Sequence, residues 1–117
     1  MSRAHVHGRR GEELAAEYFE KRGWAVVARN YRHRRAEVDL IVRREDLLVF
    51  VEVKTRASDA WGPPESFVTD AQAERVLRVA DEYLHEHDWT GAIRFDVVAV
   101  HLRPDGPELH HFEDAFY

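Results

Sequence analysis

The middle of the chain contains two strand-like runs, residues 37–44 and 47–56, which are separated only by Glu45 and Asp46. Both runs are rich in β-branched and other aliphatic residues, a composition typical of β-strands. A two-residue connection joins antiparallel neighbours, so the pattern predicts a β-hairpin. This hairpin constrains the fold more than any other feature, because its register decides which side chains share a face of the sheet.

The register of the hairpin follows from the position of its turn. With Glu45 and Asp46 at the turn, one face consists only of aliphatic residues, as a buried face should. These residues are Val38 opposite Val53, Leu40 opposite Val51, and Val42 opposite Val49. The other face pairs Ile41 with Phe50, Asp39 with Glu52, and Glu37 with Lys54. A shift of one residue would mix the two faces, so the apolar pattern selects this register.

Two carboxylates, Asp39 and Glu52, are directly opposed in this register, with their Cβ atoms about 4.5–5.5 Å apart. Like charges this close destabilise a sheet unless a cation neutralises them, and Mg²⁺ prefers carboxylate and water oxygens. Lys54 projects from the same face, two residues beyond Glu52. Its ammonium could orient a water beside the metal or stabilise charge on a phosphate. The hairpin therefore predicts a divalent-cation site suited to phosphate chemistry.

The same residues also fit a simpler interpretation, a solvent-exposed strand face on which Glu37 and Lys54 form an ordinary ion pair. Such surface pairs are common and contribute little to stability. The pattern of residues alone supports the metal-site and the solvent-exposed interpretation about equally. Two features favour a site: the acids are flanked on both sides by core residues, and Asp39 opposes another acid rather than a base.

A helix is predicted over residues 11–22, where apolar residues recur at helical spacing. Glu12 precedes Ala15 by three residues and Phe19 by seven, so it borders the apolar stripe. Glu13 instead points toward Glu17, on the solvent side. Glu12 is therefore a candidate fourth group for the site.

The remaining elements complete an αβββαββ order. Strands are predicted over residues 24–31, 93–102 and 109–112, and a loop over 57–68, which contains Gly62, Pro63 and Pro64. Thr69 begins a second helix, because Thr69 and Gln72 form a capping box. We expect one α/β domain spanning residues 1–117, with a central mixed sheet flanked by helices and a flexible segment at 1–7.

Composition restricts the possible chemistry and location. The chain has no cysteine, which excludes disulfides, zinc–thiolate sites, iron–sulfur clusters and thiol nucleophiles. The longest apolar run, residues 47–51, is far too short to cross a bilayer. With the polar start of the chain, this predicts a cytoplasmic protein without a membrane partner. The eight histidines lack the i, i+4 spacing of a helical metal pair, so we interpret them as structural or exposed.

The net charge of −5 argues against a nucleic-acid partner, but it hides an asymmetry. Residues 1–56 contain 13 Lys/Arg and 9 Asp/Glu, a net of +4, whereas residues 57–117 contain 4 and 13, a net of −9. Basic residues precede the hairpin and one, Arg56, ends it, and we expect several of them to contact phosphates. These candidates are Arg9, Arg10, Arg32, Arg34, Arg35 and Arg56. The alternative is a charged surface turn that keeps the protein soluble.

Several sequence blocks, in this order, resemble the YraN family of uncharacterised bacterial proteins. The blocks are Gly11-Glu12 with Tyr18-Phe19, Arg29-Asn30-Tyr31-Arg32, Glu37-Val38-Asp39-Leu40-Ile41, Val49 to Arg56 (VFVEVKTR), and Arg94-Phe95-Asp96-Val97-Val98. The resemblance implies a restriction-endonuclease-like fold, within the PD-(D/E)XK nuclease superfamily and similar to archaeal Holliday-junction resolvases. This sequence departs from the family pattern at three positions. Ala36 stands where the family usually has glycine, Gln72 where it usually has a basic residue, and Val38 where the superfamily motif has proline.

The resemblance also implies roles for the site residues. Asp39 and Glu52 would bind Mg²⁺ or Mn²⁺, with Glu12 and the backbone carbonyl of Val53 as further ligands. Lys54 would be the catalytic lysine, acting with Asp39 and Glu52.

The leading functional hypothesis is a metal-dependent nuclease-like protein that binds and hydrolyses structured or branched DNA, as a homodimer because two strands must be cut. The alternatives are a non-catalytic nucleic-acid-binding module on the same fold and a protein-interaction domain.

Overall fold

The computed structural model describes residues 3–56 and 69–116, and their side chains from Gly8 onward. The predicted loop at 57–68 lies outside the described residues. Two helices and five strands follow one another in the predicted order. They are α1 (Arg3–Lys21), β1 (Ala25–His33), β2 (Ala36–Arg44), β3 (Leu47–Arg56), α2 (Asp70–Glu86), β4 (Ala92–Arg103) and β5 (Gly106–Phe112).

The five strands form one mixed sheet in the order β1-β2-β3-β4-β5. Neighbours are antiparallel except β3 and β4, which are parallel. Parallel strands need a long crossover, and α2 lies in the segment that connects these two. The predicted α/β class is confirmed, and the architecture is consistent with a restriction-endonuclease-like fold. No helix in the described part of the chain is long and apolar enough to cross a membrane.

The helices cover opposite faces of the sheet, and each closes a separate apolar cluster. Ala15, Ala16 and Phe19 of α1 pack against Leu40, Val42, Val49 and Val51. Val76, Val79 and Ala80 of α2 pack against Ile41, Phe50 and Phe95. The sheet is thus the middle of three layers, and its central strands are buried on both sides.

The boundaries of α1 and β5 differ most from the predicted ones, and those of the other strands by no more than two residues. Helix α1 begins at Arg3 rather than Gly11, because residues 3–10 carry too few apolar side chains to reveal a periodicity. Strand β5 begins at Gly106 rather than Leu109. The capping box of α2 is confirmed: Thr69 Oγ1 accepts a hydrogen bond from the Gln72 N–H at 3.2 Å, and Gln72 Oε1 accepts one from the Thr69 N–H at 3.1 Å.

The predicted hairpin register is confirmed from Arg44–Leu47 to Leu40–Val51. The prediction fails at Val38, which packs on the α2 side with Ile41 instead of on the α1 side with Leu40. The reason is a local break in the alternation of β1 and β2. Asn30 has a left-handed backbone (φ 48°), and beyond it Tyr31 and its partner Val38 both lie on the α2 side. Asp39 sits at this break, between Val38 and Leu40.

Candidate active site

The site lies where β2 and β3 leave regular pairing. One residue beyond the Leu40–Val51 pair, Asp39 Oδ2 accepts a hydrogen bond from the Val53 backbone N–H at 2.7 Å. Strand β3 meanwhile stays paired with β4, through Glu52–Val97 and Lys54–Ala99. The Asp39 carboxylate therefore accepts a hydrogen bond from a backbone N–H of β3, at Val53, the residue that follows Glu52.

Glu52 and Lys54 are mostly shielded from solvent, with side chains 12% and 15% exposed. Lys54 Nζ lies 3.9 Å from Glu52 Oε2, at the long end of ion-pair distances. Glu37, predicted opposite Lys54, pairs instead with Arg32 at 2.7 Å, because the strand break turns it toward β1. The solvated-face interpretation therefore does not describe Glu52 and Lys54, which share one largely buried position.

The two acids of this position hold their protons more tightly than ordinary carboxylates. Burial raises the pKa of Asp39, and repulsion from Glu12 adds to this, while the Val53 N–H and Lys54 oppose it. Burial also raises the pKa of Glu52, and repulsion from Asp39 adds to this effect. The net direction is upward for both pKa values, so full ionisation of the pair calls for added positive charge.

Helix α1 brings Glu12 to the site through a close approach to β3. A Cβ atom at Gly11 would overlap the Thr55 side chain, so only glycine permits this packing distance. Glu12 is half-buried and Glu13 is exposed, as the predicted stripe places them. Glu12 Oε1 accepts a hydrogen bond at 2.9 Å from Nδ2 of Asn30, the residue at the strand break.

The donor set fits a hard cation that keeps part of its water shell. Within residues 3–56 and 69–116, no three carboxylate or imidazole side chains already converge to hold a metal ion. Mg²⁺ rarely uses such an all-protein cage; it is usually held by one or two carboxylates, waters and substrate phosphates. Asp39 and Glu52 are two such carboxylates, and Val53 lies between Glu52 and Lys54 in the chain.

The sequence of this domain matches one family along most of its length. The model of the uncharacterised protein family UPF0102 matches residues 11–100. The chain belongs to UPF0102. This is the YraN family that the sequence blocks indicated.

Relatives of similar length come from distant bacteria. A UPF0102 protein of Anaeromyxobacter dehalogenans is 46% identical over 110 residues, covering 93% of this chain and 82% of the relative. One from Pelotomaculum thermopropionicum is 43% identical over 112 residues, covering 93% of each chain. One from Flavobacterium psychrophilum is 39% identical over 110 residues, covering 94% of this chain and 92% of the relative.

The basic residues of this UPF0102 chain fall into separate places. Arg9 and Arg29 line a small pocket of about 170 Å³ beside Glu12 and Asn30. Arg34 and Arg35 form the β1–β2 turn and line a different cleft, against α2. Exposed positions are also held by Arg10 on α1, by Arg32, which pairs with Glu37, and by Arg56 at the end of β3. The structure thus brings Arg9 next to Glu12, whereas Arg34 and Arg35 line a separate cleft.

A buried network centred on Asp96 was not predicted from the sequence. Asp96 is fully buried and is bound by Arg94 through two hydrogen bonds of 2.9 Å and by His111 Nε2 at 2.6 Å. Nδ1 of His111 lies 3.0 Å from the Tyr18 hydroxyl, so the network joins β4, β5 and α1. Burial raises the pKa of Asp96, but hydrogen bonds, first from His111 and then from Arg94, outweigh it and leave that pKa below its ordinary value.

Only part of this network was visible in the sequence. Arg94 and Asp96 stand two apart on one strand, which is a recognisable same-face pair. His111 gave no signal, since its partner Tyr18 is 93 positions away. The UPF0102 match ends at residue 100 and so includes Asp96 but not His111.

Proposed function

We propose that this protein hydrolyses phosphodiester bonds in structured or branched DNA, in a reaction that depends on Mg²⁺ or Mn²⁺. The observation that carries the proposal is the shielded group of Asp39, Glu52 and Lys54 at the divergence of β2 and β3. Two acids with raised pKa values beside one ammonium are suited to binding a divalent cation next to a phosphate.

The two acids would bind the cation, with the Val53 carbonyl and Glu12 as further ligands. Such an ion supplies a Lewis acid for the phosphoryl oxygen and lowers the pKa of a bound water. Asp39 is oriented by the hydrogen bond that its Oδ2 accepts from the Val53 N–H. Glu12 is held by Asn30 and is positioned through α1 rather than through the hairpin.

Lys54 would act on the phosphate and the attacking water. The Lys54 side chain is 15% exposed, and charge interactions are stronger where little water screens them. A donor in this position can hold a non-bridging phosphate oxygen or orient the water for in-line attack. Lys54 also acts to lower the pKa of Asp39 and of Glu52, which opposes part of the rise caused by burial.

Cleavage assays test the catalytic assignment. Labelled four-way junctions, flaps and single strands are incubated with the protein in Mg²⁺, Mn²⁺ or a chelator. We expect metal-dependent cutting of branched DNA that falls by about 10²-fold or more in Asp39→Asn and Glu52→Gln. Glu12→Gln should lower the rate, whereas Glu13→Gln, its exposed neighbour, should not. Cutting that persists unchanged in Asp39→Asn would refute the assignment.

Calorimetry tests metal binding separately from cutting. Mn²⁺ titrated into the wild-type protein should give a saturable isotherm with release of protons, because the raised pKa values leave the acids partly protonated. Asp39→Ala should abolish this isotherm. Equal heats from both proteins would indicate nonspecific binding to surface carboxylates.

A second candidate function is DNA binding without cleavage. It is favoured by the cleft that Arg34, Arg35, Arg75 and Arg78 line, which does not include the two acids. DNA binding without cleavage predicts salt-sensitive binding of junction DNA that is weakened by changes at Arg34 or Arg35. It also predicts that the protein does not cut the junction in Mg²⁺ or in Mn²⁺. Metal-dependent cutting by the wild type but not by Asp39→Asn would support DNA hydrolysis and exclude DNA binding without cleavage.

A further inference from the structure

A second basic surface lies on the α2 side of the sheet, outside the acidic site. A cleft of about 540 Å³ opens between the β1–β2 turn and the first half of α2. Four arginines line it, Arg34 and Arg35 from the turn and Arg75 and Arg78 from the helix, against one acid, Asp81. Only four Lys/Arg occur in residues 57–117, and this cleft contains two of them. The concentration of positive charge is therefore local rather than a feature of the whole chain.

The acids near this cleft neutralise it only in part. Arg78 Nη2 lies 3.7 Å from Glu74 Oε1, and the two side chains are 70% and 64% exposed. The imidazole of His33, a lining residue, lies 3.9 Å from Glu82. Exposed ion pairs of this length are weak and readily exchanged for a stronger anionic partner.

The backbone of Arg34 is evidence that its side chain matters at this place. His33 pairs with Ala36, so Arg34 and Arg35 form a two-residue hairpin turn. Arg34 has φ of 58°, the left-handed region in which such turns favour glycine. An arginine there gives up backbone stability, which points to a role for the guanidinium.

The cleft also lies at a useful distance from the acidic site. Ala36, at its edge, precedes Asp39 by three residues on β2, which is about 10 Å at about 3.3 Å per residue. The cleft and the acidic site are therefore near enough for one DNA molecule to contact both.

We propose that the cleft binds the phosphate backbone of the same DNA molecule whose bond is positioned at Asp39. The inference rests on the proposed function for its ligand but adds a contact surface, α2, that the acidic site does not include. Arg34 and Arg35 hold the strand from the turn, and Arg75 and Arg78 hold it from the helix. The surface contacts phosphates only and therefore selects for the shape of the DNA rather than its sequence.

Binding measurements in a chelator test the cleft without any cutting. The anisotropy of a fluorescent four-way junction is followed at several salt concentrations. We expect Arg34→Gly and the double variant Arg75→Gln/Arg78→Gln each to bind more weakly. The slope of log K against log salt should fall by about one for each lost contact. Arg34→Gly should not lower the melting temperature, which separates lost binding from lost folding.

A matched control removes the same charge elsewhere. The variant Lys21→Gln/Arg22→Gln changes two basic residues at the C-terminal end of α1 and should bind nearly as the wild type does. If this control loses as much affinity as Arg75→Gln/Arg78→Gln, net charge alone explains the effect and the cleft proposal is wrong. It is also wrong if the cleft variants bind the junction as tightly as the wild type, or if the wild type does not bind the junction.

A cleavage assay distinguishes this inference from the proposed function. At saturating DNA in Mn²⁺, the cleft variants should keep the wild-type kcat and show a raised KM. A wild-type protein that never cuts, but binds DNA through Arg34 and Arg75, would refute the proposed hydrolysis and support the cleft.

Discussion

Asp39 and Glu52 place two negative charges where little water reaches them. Each pKa is raised, by burial first and then, among other charges, by a neighbouring carboxylate. A group whose pKa is higher in the folded than in the unfolded protein binds its proton more tightly when folded. Its contribution to stability is fully present below the unfolded pKa and is lost as the pH rises through the folded pKa.

The metal-free protein should therefore lose stability as the pH rises from about 4, the ordinary carboxyl range, toward the raised pKa values. We expect the free energy of unfolding to fall by roughly 1–3 kcal/mol between about pH 5 and pH 8. Asp39→Asn should flatten this dependence, and Mg²⁺ should restore more stability at the higher pH. Urea denaturation in a chelator measures it. Parallel profiles for wild type and variant would contradict the pKa directions.

The contribution of Asp96 to stability depends on pH in the opposite direction. Its pKa is lowered, so this contribution is lost only as the pH falls through that lowered value. Asp96→Ala leaves Arg94 and His111 facing a buried position without a carboxylate. We expect a loss of about 3–5 kcal/mol in the free energy of unfolding. Asp105→Ala, at the exposed β4–β5 turn, should change it by less than about 0.5 kcal/mol. A similar loss in both variants would show that the Asp96 network contributes little.

At the scale of elements, the contact between α1 and β3 depends on one missing side chain. Gly11→Ala would place a Cβ atom inside the Thr55 side chain, so the helix must shift and carry Glu12 with it. We expect a cost of about 1–3 kcal/mol, measured as a lower melting temperature, together with slower metal-dependent cutting.

A matched glycine in the same helix provides the control. A Cβ atom at Gly8 meets no atom within 4 Å, so Gly8→Ala should stabilise the helix by roughly 0.5–1 kcal/mol. Replacing Thr55 with alanine in the Gly11→Ala background should recover part of the lost stability. Equal effects of the two glycine substitutions would mean that helix propensity, not contact with β3, decides the outcome.

The sequence pattern predicted the central elements because the interactions that define them join residues close together in the chain. The hairpin register followed from requiring one wholly aliphatic face, and the capping box followed from Thr69 and Gln72. The first two turns of α1 could not be predicted, since their polar residues carry no periodicity. The Tyr18–His111 contact joins positions 93 apart, which no local pattern records.

The geometry around the candidate site residues differs from the predicted one. Strict alternation placed Val38 beside Leu40 and Glu37 opposite Lys54, and both placements are wrong. The cause is the left-handed Asn30, which breaks the alternation on two strands at once. Asparagine tolerates this conformation, but its sequence position alone did not distinguish it from any other strand residue.

At the scale of the molecule, the prediction of a symmetric dimer stays open to a direct measurement. Cutting two strands of a branched DNA requires two copies of the Asp39–Glu52–Lys54 site, which a two-fold dimer supplies. Sedimentation velocity at about tens of micromolar protein, well above typical specific dissociation constants, should show the dimer. A single monomer boundary at that concentration would argue against paired cutting.

The order of the strands also has a consequence for how the chain folds. Asp39 and Glu52 lie on one hairpin with a two-residue turn, and such hairpins form in about 1–10 μs. The β3–β4 pairing joins distant segments, as in Leu47 with Ala92, and forms more slowly. We therefore expect the two acids to meet while they are still hydrated and to lose that water only when β4 pairs with β3. We expect stopped-flow measurements to place most of the pH dependence in the unfolding rate and little in the refolding rate.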